Sequence, residues 1–272
     1  MFKSRLISGI LLVILALATV GSGSYILAAT LWAISLIAFQ ELCLACKIQK
    51  NEKKQNTLEI VGYIFTSLYY IAMAILKNQK LMIMLIIMAL IVLLMVYVFK
   101  FPKYHANQIM STYFSFIYAP VLFSFVYLTR ELEYGMYFVW MIFISSWISD
   151  TCAYCVGMLC GKHKLAPVLS PKKSIEGSIG GILGSAIVGA LFGYFIVEAI
   201  ITEQQVTWVF ALIGAVGSVV SQIGDLAASA IKRNYEIKDY GKLIPGHGGI
   251  MDRFDSVLMT APMIYFLFTL LV

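Results

Sequence analysis

Nine apolar runs of about 20 residues each, close to the length of a membrane-spanning helix, follow one another along this chain. They occupy residues 6–21, 24–43, 58–76, 81–99, 111–129, 135–156, 178–200, 207–228 and 254–272. A helix satisfies its own backbone hydrogen bonds and can therefore cross lipid. Only 12% of the residues are charged, which excludes an ordinary soluble domain. The predicted fold is all-α: a polytopic integral membrane protein with about nine transmembrane helices.

The first two runs are separated by only four residues, Gly-Ser-Gly-Ser at 21–24. We expect a tight turn there rather than one long bent helix. Lys3 and Arg5 precede the first run, as they would in a secretory signal peptide. We expect an uncleaved span instead, because further spans follow it.

The basic residues predict the orientation in the membrane. With the N-terminus in the cytoplasm, 17 of the 20 Lys and Arg residues fall in cytoplasmic segments. Positive charge is retained on that side during insertion. The prediction is therefore an N-terminus inside and a C-terminus outside. The net charge of +6 then favours an anionic lipid surface rather than nucleic acid.

Polar chemistry is unevenly distributed along the chain. Residues 1–130 predict a scaffold of transmembrane helices, and residues 131–272 predict a catalytic region with its site at the cytoplasmic face. Within the second region, Gly181, Ser185, Gly189 and Gly193 recur every four residues. Small residues at this spacing let helices approach closely, either within one chain or in a dimer.

The run 207–228 ends in a polar stripe of Ser221, Asp225, Ser229 and Lys232. These residues share one helical face if the helix continues past Leu226. An acid at membrane depth usually faces a cavity or a partner. Asp225 is therefore either part of a site or the partner of a buried cation, Lys232 or Arg233. Asp150 is a second acid at membrane depth, open to the same two interpretations.

Two more acids, Asp252 and Asp255, share a face at the start of the last run. Consecutive antiparallel spans return to the same side of the membrane, so we expect Asp225 and Asp252 to meet near the cytoplasmic boundary. Carboxylate oxygens are ligands that suit Mg²⁺, which also bridges to phosphate. The two C-x-x-C pairs of the chain have no nearby His ligands and favour apolar packing over zinc.

The segment 229–255 contains five Lys or Arg residues, four carboxylates, one His and four Gly. Its Pro-Gly-His-Gly-Gly stretch at 245–249 precedes the last run, where backbone N–H groups and a helix N-terminus can hold phosphate. A second basic patch, Lys172-Lys173-Ser174, follows Ser170-Pro171. It fits either an anion site or an ordinary cytoplasmic flank.

The pattern S-x-I-K-R-x₄-K-D-x-G-x₂-I-P-x-H-G-G-I-x-D-R-F-D over residues 229–255 resembles the signature of the phosphatidate cytidylyltransferases (CDP-diacylglycerol synthases). The resemblance continues upstream through Gly224-Asp225, the Ser-Pro-Lys-Lys-Ser-x-Glu-Gly stretch at 170–177, and Asp150-Thr151. Cys152 stands where relatives often have Gly. Over residues 1–130 only hydropathy and span number are similar. The resemblance implies an all-helical membrane protein, usually dimeric.

By this resemblance the substrates are CTP and phosphatidic acid, and the products are CDP-diacylglycerol and pyrophosphate. The implied cofactor is Mg²⁺, with K⁺ as a candidate second cation. The implied partners are the lipid bilayer and a second copy of the chain, with no nucleic acid, in the plasma (inner) membrane. Asp225 and Asp252 would be metal ligands, and Asp225, Lys232, Asp252 and Asp255 would be catalytic. The implied substrate-binding residues are Ser229, Lys232, Arg233, Lys238, Asp239, His247, Gly248, Gly249, Arg253, Lys172, Lys173, Ser174 and Asp150.

Two other functions stay open from the sequence. One is a CTP-dependent transferase or kinase acting on another membrane lipid, because its loop chemistry would be similar. The other is a cation-coupled transporter that uses Asp150 and Asp225. Transporters often carry internal repeats and binding groups at the bilayer midplane. The charges of this chain cluster toward one membrane face instead, which favours the enzyme.

Overall fold

The computed structural model describes residues 2–48, 56–201, 206–244 and 248–272. Within these ranges the chain forms nine long helices: α1 (Phe2–Gly21), α2 (Ser24–Ala45), α3 (Thr57–Ala74), α4 (Gln79–Phe99), α5 (Ala106–Arg130), α6 (Gly135–Cys160), α7 (Ile175–Val197), α8 (Thr207–Asn234) and α9 (Met251–Leu271). Helices α2 to α9 are long and apolar enough to cross a membrane. The all-α polytopic membrane fold is confirmed. Helix α1 covers the predicted first span but is not among those eight, so the number of spans and their orientation stay predictions.

The turn predicted between the first two runs is present. Helix α1 ends at Gly21 and α2 begins at Ser24. Gly23 between them has a φ of 104°, in a region that residues with a side chain rarely adopt. The glycine therefore permits the sharp reversal that the short linker requires.

Side-chain caps define where several helices begin. At α3, Asn56 Oδ1 accepts a hydrogen bond from Glu59 N at 3.0 Å, and Glu59 Oε2 accepts one from Asn56 N at 3.2 Å. Asn78 Oδ1 accepts from Leu81 N at the start of α4, and Ser174 Oγ accepts from Gly177 N at the start of α7. Each cap satisfies a backbone N–H that has no partner within its helix.

A two-stranded antiparallel hairpin interrupts the helical pattern between α6 and α7. Its strands are β1 (Lys164–Ala166) and β2 (Ser170–Ser174), with Lys164 opposite Ser174 and Ala166 opposite Ser170. The sequence did not predict these strands, because three and five residues are too few to show an alternating pattern. The hairpin matters because β2 carries Lys172 and Lys173.

The chain divides into two compact units. The first contains residues 1–127 and 235–253, and the second contains residues 128–234 and 254–272. The boundary near residue 128 lies close to the division that we predicted at 130/131. The loop 235–253, however, groups with the N-terminal helices rather than with the second unit. The predicted division of roles, scaffold against catalysis, stays a prediction.

The first unit is built on α2, α3, α4 and most of α5. Its core contains Phe39, Tyr69 and Phe116, each at most 2% exposed. Two buried hydrogen bonds tie tyrosines to neighbouring helices: Ser35 Oγ to Tyr70 Oη at 2.7 Å, and Tyr69 Oη to Ser124 Oγ at 3.1 Å. In lipid, such polar contacts help to specify which helix faces meet.

The second unit is built on α6, the hairpin, α7, α8 and most of α9. The rings of Phe138 and Phe268 stack at 4.0 Å, and Phe210 packs edge-on against both. The small residues of α7 lie buried in this unit. A Cβ added at Gly189 would lie 2.6 Å from the Phe210 carbonyl oxygen, and one at Gly181 would lie 2.9 Å from the Ser149 carbonyl oxygen. The small-residue ridge therefore packs within the chain, one of the two alternatives that the spacing allowed.

Candidate functional site

The polar stripe of α8 lies on one continuous helix, as predicted. Helix α8 runs to Asn234, well past Leu226. Ser221 is fully buried, and Asp225, Ser229 and Lys232 are partly buried. Because these residues recur at steps of three and four, they form a polar face at the end of an otherwise apolar span.

An acid–lysine cluster, made of Asp150, Lys173, Asp225, Lys232 and Asp255, forms within the second unit. Lys173 Nζ makes an ion pair with Asp225 Oδ2, and both side chains are only about a quarter exposed, at 26% and 28%. Asp255 lies close enough to interact electrostatically with Asp225, Lys232 and Asp150. Helices α6, α8 and α9 and strand β2 thus each contribute charge to one place.

A cation that pairs with Asp225 comes from outside helix α8. We weighed Lys232 and Arg233, its neighbours on α8, as structural partners of Asp225. Lys173, from the hairpin, makes an ion pair with Asp225, and Arg233 is exposed. Helical spacing cannot predict this contact, because hairpin and helix meet only through tertiary packing.

A cavity of about 420 Å³ opens beside the cluster within the second unit. This volume falls in the range of small-molecule sites. Its polar lining includes Asp150, Tyr154, Lys172, Lys173, Ser174 and Gln222. Lys172 is exposed, whereas Ser174 is buried and caps α7. Four of the residues predicted to bind substrate, Asp150, Lys172, Lys173 and Ser174, therefore line one cavity.

Gln222 is a polar residue of this site that the sequence analysis missed. It is 7% exposed, and its Nε2 donates to the Ser178 carbonyl oxygen at 3.2 Å and to Ser218 Oγ at 3.3 Å. Ser218 Oγ in turn lies 2.7 Å from Ser149 Oγ. These contacts join α6, α7 and α8 beneath the cavity. A buried amide at membrane depth, next to Ser221, was the signal that could have identified it.

The hairpin is attached to the start of α7 by Glu176. Its carboxylate accepts hydrogen bonds from the backbone N–H groups of Lys162 and His163, and Glu176 Oε1 lies 2.6 Å from His163 Nδ1. Ile175 N donates to the His163 carbonyl oxygen at 2.9 Å. These bonds join the two ends of the hairpin. They limit the movement of strand β2, whose Lys172 and Lys173 line the cavity.

Asp252 organises a separate loop within the first unit. It is 7% exposed, and its Oδ2 accepts hydrogen bonds from Tyr240 N at 2.8 Å and Gly249 N at 3.0 Å. Gly248 has a φ of 84°, and Ile244 N donates to its carbonyl oxygen at 2.8 Å. Across the part of this loop that is described, the backbone thus folds back onto the start of α9. His247, with Pro245 and Gly246, lies outside the described residues.

A second buried acid meets the same loop. Glu41, near the end of α2, accepts hydrogen bonds from Ile250 N and Met251 N. Glu41 was not among the predicted site residues, because residues 1–130 were predicted to be a scaffold of transmembrane helices. An acid inside an apolar run was the available signal.

The remaining predicted residues differ in exposure. Arg233, Lys238 and Asp239 are exposed, and Ser229 and Arg253 are partly buried. Beside the loop, burial raises the pKa of the Cys46 thiol, although a hydrogen bond with Tyr235 opposes that increase. Burial also raises the pKa of Tyr235.

The two predicted metal ligands fall in different units: Asp252 in the first and Asp225 in the second. Among the residues that the structure describes, no three His, Cys, Asp or Glu side chains are grouped so that they could hold a metal ion together. The pairing of Asp225 with Asp252 around Mg²⁺ therefore stays a prediction.

The fold and the acid–lysine cluster define a class of protein: a polytopic helical membrane protein with a charged site beside a ligand-sized cavity. The whole chain, from residue 3 to residue 271, matches the sequence profile described as "Cytidylyltransferase family". The chain belongs to this family, which confirms the resemblance seen in the 229–255 pattern.

Individual relatives agree with the family. The chain is 40% identical over 150 residues to a phosphatidate cytidylyltransferase of Staphylococcus haemolyticus, an alignment that covers 55% of each chain. It is 39% identical over 141 residues to that of Staphylococcus saprophyticus, covering 52% of each chain. Identity to that of Staphylococcus epidermidis is 41% over 150 residues, with 55% of each chain covered. The chain spans about half the length of the curated relatives it matches.

Proposed function

We propose that this protein is a phosphatidate cytidylyltransferase, which transfers CMP from CTP to phosphatidic acid and releases pyrophosphate. The observation that carries the proposal is the acid–lysine cluster beside the 420 Å³ cavity of the second unit. The names of the similar staphylococcal proteins support the same activity. Family membership favours this transferase over a cation-coupled transporter.

The proposed reaction needs little proton chemistry from the protein. A phosphate oxygen of phosphatidic acid attacks the α-phosphorus of CTP, and the bond from that phosphorus to the bridging oxygen of the β-phosphate breaks. The attacking oxygen is already anionic, so no strong general base is required. The main barrier is repulsion between two highly charged phosphates, which is lowered by positioning and by fixed positive charge.

Lysines of the second unit are suited to that role. Lys172 and Lys173 line the cavity, and Lys232 interacts electrostatically with Asp255. Lys173 is held by Asp225, so its ammonium group is already oriented when an anion arrives. Fixed charges of this kind stabilise the transition state without reorganisation. The acyl chains of phosphatidic acid would remain in the bilayer beside the spans.

The donor set of the cluster fits Mg²⁺. Asp225 and Asp255 are neighbouring carboxylates, and Mg²⁺ is usually held by one or two carboxylates together with phosphate oxygens. We therefore propose Asp225 as a ligand, with Asp255 beside it in the same unit; the ligand role of Asp252 stays a prediction from the sequence. When bound, the ion would offset charge on the triphosphate. The same proposal includes a second cation such as K⁺ and a homodimer. It also places the protein in the plasma membrane with its active site facing the cytoplasm.

The test uses the purified full chain in mixed micelles that contain phosphatidic acid. Labelled CMP should pass from CTP into lipid, with one pyrophosphate per lipid product, only when both phosphatidic acid and Mg²⁺ are present. Release of CDP instead would identify a lipid kinase. Transfer to a different lipid phosphate but not to phosphatidic acid would identify another transferase. Absence of both products would contradict an enzymatic function.

Asp252→Asn tests the role of the predicted acid. Asparagine keeps the size of the side chain and an oxygen that can accept from Tyr240 N and Gly249 N, but it loses the charge. We expect turnover to fall by about 100-fold or more, as when one electrostatic contact to a transition state is lost. Glu133→Gln, at an exposed carboxylate between α5 and α6, is the control and should retain activity. Normal turnover in Asp252→Asn would contradict the role of Asp252.

A further inference from the structure

Glu41 is a buried acid whose carboxylate accepts hydrogen bonds from backbone N–H groups. Its residue is 6% exposed, in the last turns of α2. Glu41 Oε1 accepts from Ile250 N at 3.0 Å, and Oε2 accepts from Met251 N at 2.9 Å. Both carboxylate oxygens are thus used at the first turn of α9, within the first unit.

The glycines of the loop leave space for this carboxylate. A Cβ added at Gly241 would lie 2.2 Å from Glu41 Oε1, and one added at Gly249 would lie at the same distance from the same oxygen. Neither residue has a positive φ, so their need for glycine comes from the approach of Glu41 rather than from backbone conformation. The loop therefore encloses the Glu41 carboxylate from two sides.

Glu41 and Asp252 hold successive backbone groups. Asp252 accepts from Gly249 N, and Glu41 accepts from the next two N–H groups, those of Ile250 and Met251. The two carboxylates are close enough to interact electrostatically. Their mutual repulsion is opposed by the N–H groups that each accepts from and by the positive end of the α9 dipole. The backbone just before Asp252 is consequently fixed by a residue of a distant helix.

We propose that Glu41 is a positioning residue for Asp252, which the sequence predicts to be catalytic: Glu41 holds residues 249–251 so that Asp252 is presented in one orientation. This inference rests on the proposed function for its catalytic consequence. Glu41 accepts from backbone N–H groups and acts through Asp252. A displacement of about 1 Å at such a position can cost about 100-fold in rate.

The first experiment compares Glu41→Gln with Glu59→Gln in the phosphatidic acid assay. Glutamine at 41 keeps one acceptor but turns an NH₂ group toward a backbone N–H donor. Glu59 is the matched control, since it is 1% exposed in the same unit but caps α3 at Asn56. We expect kcat of Glu41→Gln to fall at least tenfold, with KM for phosphatidic acid changing less than threefold. Glu59→Gln should retain kcat within threefold.

The second measurement is independent of activity. Amide hydrogen exchange in the absence of substrates should accelerate at Ile250 and Met251 in Glu41→Gln and remain unchanged in Glu59→Gln. Gly241→Ala leaves the charge of Glu41 in place but would displace its carboxylate, because the added Cβ would lie 2.2 Å from Glu41 Oε1. We expect Gly241→Ala to show the same fall in kcat and the same faster amide exchange at Ile250 and Met251 as Glu41→Gln. Gly21→Ala is its control, because a Cβ there meets nothing within 4 Å.

The outcomes separate this inference from the proposed function. Unchanged exchange at residues 250 and 251 in Glu41→Gln and Gly241→Ala, or wild-type kcat in both, would overturn the role of Glu41 while leaving the transferase intact. Equal losses of kcat in Glu41→Gln and Glu59→Gln would also overturn it, because the effect would then be general to buried acids. A wild-type protein without transferase activity would refute the proposed function, and faster exchange would still establish Glu41 as the residue that fixes the loop.

Discussion

Replacing Lys173 by Met tests whether the ion pair with Asp225 is a buried interaction. Methionine keeps a stem of similar length and removes the charge. Breaking an exposed pair costs at most about 1 kcal/mol, and breaking a buried pair costs about 3–5 kcal/mol. Lys173 and Asp225 are 26% and 28% exposed, which places the pair between these cases and nearer the buried one. We expect a loss of about 2–3 kcal/mol in the free energy of unfolding.

The charges around Asp225 support this expected loss in the free energy of unfolding. Without Lys173, Asp225 would face the carboxylate of Asp255, which also interacts with Asp150. Lys232 would remain as a neighbouring cation and would limit the loss. A difference of 2–3 kcal/mol corresponds to about 30- to 150-fold in the ratio of folded to unfolded protein.

The assay is unfolding of the protein by SDS in mixed micelles, with tryptophan fluorescence as the measure of the folded fraction. Lys172→Met is the matched control, since the neighbouring lysine is exposed and should change stability by about 0.5 kcal/mol or less. Combining Lys173→Met with Asp225→Asn should recover much of the loss, because no unpaired charge is then left in place. Equal effects of Lys173→Met and Lys172→Met, or no recovery in the double variant, would refute the reasoning.

Two further predictions concern packing and titration. Gly214→Ala would place a Cβ 2.4 Å from the Ser185 carbonyl oxygen and push α7 from α8, so we expect a loss of about 1–3 kcal/mol in the same unfolding assay, with Gly21→Ala unaffected. Cys46 should react with a maleimide more slowly at pH 8 than in SDS-unfolded protein, because burial raises its pKa and less thiolate is present. The two rates should converge as the pH rises through the pKa of Cys46 in the folded protein. The hydrogen bond with the Tyr235 hydroxyl lowers this pKa, so Tyr235→Phe should raise it and slow the reaction of the folded protein further. Equal rates at pH 8 would contradict the shift.

Much of the helical architecture was predictable because its causes are local. The apolar run 81–99 became α4 (Gln79–Phe99), and Asn78 caps its start. The polar stripe from Ser221 to Lys232 was predictable because α8 is a regular helix as far as Asn234. Helical period, span length and capping depend on residues within a few positions of one another.

The charged residues of the acid–lysine cluster were predictable from the sequence, but their contacts and the uncharged Gln222 beside them were not. Asp150, Lys173, Asp225, Lys232 and Asp255 were all selected from the sequence, and they meet in the second unit. Their pairing was not selected, because Lys173 arrives on a hairpin whose two short strands carry no periodic signal. A stripe on one helix shows which face is polar without showing what packs against it.

The amino-acid sequence by itself determined that this chain crosses a membrane as helices and that 11 of its 14 acidic residues lie in residues 131–272. Only the tertiary structure decided that Lys173 neutralises Asp225, and that Glu41 holds backbone groups as far as 210 positions further along the chain. Hydropathy and helical period are summed over neighbouring residues, whereas these contacts depend on which helices pack together. That choice is made by shape and hydrogen bonding over the whole unit.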